Sequence, residues 1–272
     1  MQHEIRPGPP VAMTIAGSDC SSGAGIQADL KTFQHFGVHG VTAVTCVVSE
    51  TANVVRGVHP VAAAFVADQV ALLLDSFPVA AVKTGMLHSR ETVLAVASVL
   101  AARPEVLLVV DPVMVASTGA SLLGEGAVKA YRDVLLPRAT VITPNIPEAE
   151  VLLGRVIGRV EDMEFAARSL AEKFGAGVLL KGGHLDAPEC VDVLWEADAA
   201  FRFISPRLAV PGSHGTGCTL SAAVTAGLAN GLPLPEAVSA AKSFLNRALA
   251  EAYTWVSASG ESLHALNQGT RI

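Results

Sequence analysis

Short apolar, β-branched runs alternate with longer amphipathic segments along almost the whole chain. Val11 to Ile15, Ala80 to Lys83, Val106 to Val110, Thr140 to Thr143 and Gly177 to Lys181 have the length and composition of buried strands. Between them, Ile26 to Phe36, Val61 to Leu74, Arg90 to Ala102, Gly126 to Leu135 and Asp162 to Phe174 carry apolar residues at helical spacing. This alternation predicts βαβ units wound into an open, mostly parallel sheet. Val41 to Ser49 alternates less cleanly and is expected to leave the main sheet as an edge or lid strand. Val191 to Trp195 and Phe201 to Ile204 read as a late antiparallel pair, and Leu220 to Leu232 as a buried helix. No internal repeat, charge block or linker interrupts the pattern. Residues 11–272 therefore read as one domain, preceded by a loose, proline-rich tail at 1–10.

Composition narrows the class. Hydrophobic residues make up 51% of the 272 and charged ones only 16%, which excludes a disordered chain. Ala, Val and Leu dominate, as a parallel sheet buried on both faces requires. A net charge of -6 gives no electrostatic reason to expect nucleic acid or an anionic membrane as partner. The uncharged run from Leu208 to Pro235 has the length of a membrane span, but its three prolines and five glycines suit a loop followed by a core helix. No secretory signal is visible. The four cysteines, Cys20, Cys46, Cys190 and Cys218, form no metal-binding or CxxC pattern and read as reduced thiols of a cytoplasmic protein.

The polar and glycine-rich segments follow the strands: Gly17 to Gly25, Lys83 to Met86, Asp111 to Gly119, Thr143 to Glu148 and Lys181 to His184. Ligands of open α/β sheets bind at the carboxyl ends of the strands, so all five should share one edge. The sharpest signal is Gly215-Thr216-Gly217-Cys218-Thr219, which follows Ser213-His214 and opens the buried helix. Its glycines let bare N–H groups at a helix N-terminus approach a ligand, a ready anion site. The Cys218 thiol lies in that positive field and is expected to have a lowered pKa. Phosphoryl transfer is the chemistry these features suggest.

Several segments, read together, resemble the ribokinase superfamily, and within it the bacterial hydroxymethylpyrimidine and phosphomethylpyrimidine kinases. They are Thr14-Ile-Ala-Gly-Ser-Asp19, Gly23-Ala-Gly-Ile-Gln-Ala-Asp29-Leu-Lys31, Lys83-Thr-Gly-Met86, Asp111-Pro-Val-Met114, Thr143-Pro-Asn-Ile-Pro-Glu148, Lys181-Gly-Gly-His184 and His214-Gly-Thr-Gly-Cys-Thr219. The likeness runs from about Val11 to about Ala250. It implies a ribokinase-like three-layer α/β/α fold with a central, mostly parallel sheet. It also implies ATP and Mg²⁺ as co-substrate and metal, a small-molecule acceptor, and a homodimer.

Residue by residue, the resemblance makes Cys218 the acceptor of the hydroxyl proton and Gly215 and Gly217 the anion hole. It puts Lys181 on the nucleotide phosphates, with Thr143, Asn145 and Thr216 beside them, and Asp111 and Glu148 at the metal. The pyrimidine pocket maps onto Gly17, Ala24, Asp29, Glu50, Met86 and Val113. Plainer readings stand beside these roles. Asn145 to Glu148 has the form of a helix cap, Lys181 can pair with an unidentified carboxylate, and Asp29 can be a solvated helix carboxylate or fix the loop before it.

Two positions depart from the family pattern. Ser22 replaces a glycine of the usual Ser-Gly-Gly-Ala-Gly loop. Glu50 stands where a glutamine is common. An ionised Glu accepts from a 4-amino group but repels a ring nitrogen's lone pair. Glu50 therefore selects a protonated aminopyrimidine, has a raised pKa, marks a different ring, or lies outside the pocket. The leading expectation is an ATP-dependent kinase of 4-amino-5-hydroxymethyl-2-methylpyrimidine and of its monophosphate, in thiamine synthesis. A pyridoxal, pyridoxine or pyridoxamine kinase is the nearest alternative. A Cys218 nucleophile with His214 as base, and a catalytically silent vitamer sensor, are the remaining classes.

Overall fold

Nine strands form one sheet in a computed structural model that describes residues 7–114, 125–185, 187–208, 212 and 214–269. Residues 1–6 of the expected tail, 115–119 of the third polar segment and Ser213 lie outside the described residues. The strands are β1 (Val11–Asp19), β2 (His39–Thr51), β3 (Val54–Pro60), β4 (Val79–Thr84), β5 (Leu107–Val110), β6 (Val141–Ile142), β7 (Gly177–Lys181), β8 (Glu189–Glu196) and β9 (Ala199–Pro206). Their spatial order is β3-β2-β1-β4-β5-β6-β7-β8-β9. Pairing is parallel from β2 through β7 and antiparallel at the two ends, where β3, β8 and β9 sit. A separate hairpin, β10 (Tyr253–Val256) with β11 (Ser262–Ala265), follows the last helix.

Among the described residues the α-helices are α1 (Gly25–His35), α2 (Ala63–Ser76), α3 (Arg90–Ala101), α4 (Glu125–Ala130), α5 (Ile146–Leu153), α6 (Val160–Phe174), α7 (Thr216–Ala229) and α8 (Leu234–Ala250). Strand alternation divides the core between two faces. On β1, Val11, Met13 and Ile15 join the cluster that takes in α2 to α6, while Ala12 joins the cluster of α1, α7 and α8. The architecture is the expected three-layer α/β/α sandwich.

Three expectations are corrected. Val41 to Ser49 does not leave the sheet: it lies within β2, parallel to β1, and only its far end runs on to pair with the edge strand β3. Register shifts at Ala16/Ser18 and Ser49/Glu50 explain the imperfect alternation that suggested an edge. The helix expected over Gly126 to Leu135 ends at Ala130 and continues as a π turn, Tyr131–Leu135. There the buried Tyr131 hydroxyl donates to the Gly85 carbonyl. The strand expected over Thr140 to Thr143 shrinks to Val141–Ile142.

Candidate active site

Two glycine turns are stacked backbone on backbone at the carboxyl end of β1. Gly25, the first residue of α1, has φ 58°, and a Cβ there would lie 2.4 Å from the Gly17 carbonyl oxygen. Gly215, which precedes α7, has φ 81°, and its Cβ would lie 1.9 Å from the Gly23 oxygen. No side chain fits at either position, and both backbones occupy the left-handed region. The packing brings the N-termini of α1 and α7 side by side, both facing one cavity of about 550 Å³. Helix N-termini concentrate unpaired N–H groups and positive potential.

Asp19 fastens the first turn. Its Oδ1 accepts the Ser21 N–H at 2.7 Å, and its Oδ2 accepts those of Gly23 at 3.1 Å and Ala24 at 2.8 Å. The same Oδ2 meets His214 Nε2 at 2.9 Å, tying the first turn to the second. Burial opposes ionisation, but these bonds prevail and bring the Asp19 pKa down to about 2. Ser22 takes φ 64°, the left-handed conformation that its missing glycine would adopt freely, and Lys31 Nζ donates to its carbonyl.

On the cavity floor, Asp111 is buried and accepts from Lys181 Nζ at 2.9 Å, Thr143 Oγ1 at 3.2 Å and Ser221 Oγ at 3.0 Å. Its pKa is lowered because the two nearby lysines, Lys181 and Lys83, outweigh the burial that would raise it. Gly217 lies above this pair: a Cβ would stand 3.4 Å from Lys181 Nζ and 3.7 Å from Asp111 Oδ2. Lys181 thus has the carboxylate partner that its plainer reading required, while keeping a place on the wall.

Asn145 and Glu148 form a reciprocal helix cap. Glu148 N–H donates to Asn145 Oδ1 at 2.9 Å, and Asn145 N–H to Glu148 Oε2 at 2.9 Å. Both also line the cavity. Burial pushes Glu148 up to about 7, and Asp111 adds to the rise.

Most of the residues singled out from sequence meet on this wall: Gly17, Ala24, Glu50, Met86, Val113, Asp111, Asn145, Glu148, Lys181, Gly215, Thr216, Gly217 and Cys218. Asp29 and Thr143 do not. Both are fully buried behind it, Thr143 holding Asp111 and Asp29 accepting from Lys83 Nζ at 2.7 Å and Thr14 Oγ1 at 2.6 Å. Asp29 is therefore neither a cavity residue nor a solvated helix carboxylate, because α1 presses that face against β1, where the Lys83 side chain of β4 reaches it.

The expected lowering of the Cys218 pKa is also overturned. Burial pushes the thiol up to about 11; Lys83 and the Gly25 amide pull the other way without prevailing. His214 hydrogen-bonds Asp19 rather than Cys218, which removes the arrangement a Cys–His nucleophile needs. Glu50 stands on the wall, and burial, then Asp19, raises its pKa, so the possibility that a local shift excludes it is closed.

Asp19, Lys83 and His214 acquire structural roles that the motifs containing them had not disclosed. A charge closing a buried strand, Lys83, was the one available signal. At the far end of the cavity, Cys190, Asp192, Ser205, Arg207 and Lys242 supply further lining that sequence reading missed. Lys242 Nζ pairs there with Asp192 Oδ2 at 2.6 Å. From β1 to β8 the wall spans five strand spacings, roughly 24 Å, enough for a small ring and a nucleotide end to end.

A ribokinase-like sheet with two helix N-termini, lysines and carboxylates around one long cleft defines a small-molecule kinase. The chain belongs to the phosphomethylpyrimidine kinase family, whose model matches residues 19–262. The hydroxymethylpyrimidine/phosphomethylpyrimidine kinase of Rhizobium meliloti is 45% identical over 89% of this chain and 91% of its own length. The thiamine biosynthesis bifunctional protein ThiED of Geobacter sulfurreducens is 47% identical over 87% of this chain, which spans only 48% of that protein. Bacillus subtilis pyridoxal kinase, solved as an ADP complex, superposes with a TM-score of 0.87 at 38% identity, covering 96% of this chain and 98% of that one.

Proposed function

We propose that this chain transfers the γ-phosphoryl group of ATP to 4-amino-5-hydroxymethyl-2-methylpyrimidine and then to its monophosphate. The observation that carries the reading is the convergence of the α1 and α7 N-termini on the Lys181–Asp111 pair and Cys218 in one cavity. The kinase relatives support the same chemistry. In this reading residues 11–272 form one kinase domain acting in the cytoplasm as a homodimer, and sizing of the purified protein tests the assembly.

The acceptor ring lies at the β1–β2 end, between the backbone of Gly17 and Ala24 and the apolar Met86 and Val113, with Glu50 towards its amino group. The nucleotide lies towards β8, its phosphates between Lys181, Asn145, Thr216 and the Gly215–Cys218 turn. The acceptor oxygen bonds to the γ-phosphorus, the bridge to the β-phosphate breaks, and ADP leaves. The turn amides and Lys181 hold the charge that spreads over the transferring group. Cys218 accepts the hydroxyl proton only as its thiolate, a minor form at neutral pH because burial keeps the resting thiol protonated.

Two cavity carboxylates beside Lys181, Asp111 and Glu148, the second raised to about 7, fit a further cation. No cluster of three ligating side chains exists among those residues, which suits a metal that keeps its waters and shares phosphate oxygens. Asp111 and Glu148 would hold Mg²⁺, which when bound neutralises phosphate charge.

Glu50 and the likeness to a pyridoxal kinase favour a second reading, phosphorylation of a pyridoxal-type ring. ATP consumption with the hydroxymethylpyrimidine, its monophosphate, pyridoxal and pyridoxine, with products identified by mass, decides between them. Turnover of the B6 compounds alone would overturn the first.

A further inference from the structure

A phosphorylated acceptor poses a problem that the alcohol does not. It brings additional negative charge to an end of the cavity where Glu50 stands on the wall and the buried Asp19 carboxylate acts on it from behind. The cations nearby are not equally able to meet it. Lys83 is fully buried and committed to Asp29. Lys31 is turned to the Ser22 carbonyl and is not on the wall. Lys181 pairs with Asp111 under Gly217. Among the described residues, His214 is the group at this end that both reaches the cavity and can carry a positive charge.

His214 is fixed for such a role. It immediately precedes the Gly215 turn, and its ring lies over Gly23, where a Cβ would stand 2.5 Å from its Cδ2. Its Nε2 meets Asp19 Oδ2, which is itself anchored by three backbone amides. The Asp19 hydrogen bond raises the His214 pKa; burial works against this and Glu50 assists it. The titratable groups that act on the ring are Asp19 on β1 and Glu50 on β2, with Lys31 of α1 beyond Asp19.

We propose that His214, held by Asp19, recognises the phosphate of the monophosphate acceptor and thereby separates the second phosphorylation from the first. This assignment rests on the kinase reading above. The alcohol places no charge beside the imidazole and depends on it only through the loop geometry. The monophosphate gains a charge-assisted hydrogen bond from the imidazolium and loses it when the ring is neutral.

The test is kcat/KM for both acceptors from about pH 6 to about pH 9, expressed as the ratio of monophosphate to alcohol. In the unaltered protein the ratio falls as pH rises through the elevated His214 pKa. In His214→Gln the ratio is about tenfold lower at the acid end and no longer falls. The monophosphate's own ionisation near pH 6 is common to both proteins and cancels between them. The same pH dependence of the ratio in the unaltered protein and in His214→Gln overturns the assignment, and so does an equal loss for both acceptors in His214→Gln. If the unaltered protein turns over neither acceptor, the kinase reading itself falls and takes this one with it.

Discussion

Lys83 and Asp29 form an ion pair 2.7 Å long in which neither side chain has any exposure. Thr14 Oγ1 adds a second bond to Asp29 at 2.6 Å. The pair sits behind the cavity wall, joins α1 to β4, and extends positive potential towards Cys218 and Asp111. Two charges withdrawn from water in this way hold each other in place, because removing either leaves the other uncompensated.

Lys83→Met should therefore lower stability by about 3–5 kcal/mol, whereas Lys83→Met combined with Asp29→Leu should recover much of the loss. Urea unfolding of the two single variants and the double variant measures the coupling. Additive losses would show that the two charges are independently solvated.

Cys218→Ala should reduce turnover at least tenfold while leaving acceptor binding largely intact. With the thiol raised to about 11, the thiolate fraction grows with pH throughout the neutral range. Turnover of the alcohol should climb between about pH 7 and about pH 9 and should not climb in Cys218→Ala. A variant as fast as the parent would leave catalysis to the amides of the turn.

Glu148 ionises at about 7 when folded and at 4.5 as a free side chain. Between these values the native state holds the extra proton, so stability falls as pH rises from about 4.5 to about 7 and then levels off. Glu148→Gln keeps the helix cap and should remove that slope in thermal melts. Mg²⁺ with a non-hydrolysable nucleotide should stabilise the parent more at about pH 8 than at about pH 5, since a cation favours the ionised carboxylate.

Glu50→Gln should shift the preference between aminopyrimidine and pyridoxal-type rings, or alter its pH dependence, because Gln donates where Glu cannot. If competition assays give the same preference and the same profile, Glu50 does not read the ring.

Ser22→Gly should relieve the left-handed strain and raise stability by up to about 1 kcal/mol, observed as a higher Tm. No gain would mean that the Lys31 bond to its carbonyl already offsets the strain.

Much of this was legible beforehand. Gly177–Lys181 emerged as the strand expected, residue for residue, because its apolar run is bounded by a glycine and a charge. The turn before α7 was legible because two glycines ahead of a long uncharged run leave few alternatives. The 17-residue helix α8, Leu234–Ala250, is less legible although its apolar spacing is regular, because it follows directly on a long uncharged run. Val41 to Ser49 does not become the expected edge or lid strand because β2 belongs to two environments, parallel to β1 along most of its length and antiparallel to β3 at its far end.

By itself the sequence determined the order of strands and helices, the glycines at the turns and the kinds of side chain brought to the sheet's carboxyl edge. These follow from periodicity and backbone freedom, which neighbouring residues carry. Tertiary structure alone decided that Asp29 meets Lys83 across 54 positions, Asp111 meets Lys181 across 70, and Asp19 meets His214 across 195. It also decided that Cys218 keeps its proton and that Glu148 ionises only near 7. Partnership and desolvation depend on which elements pack together, and that information is spread over the whole chain.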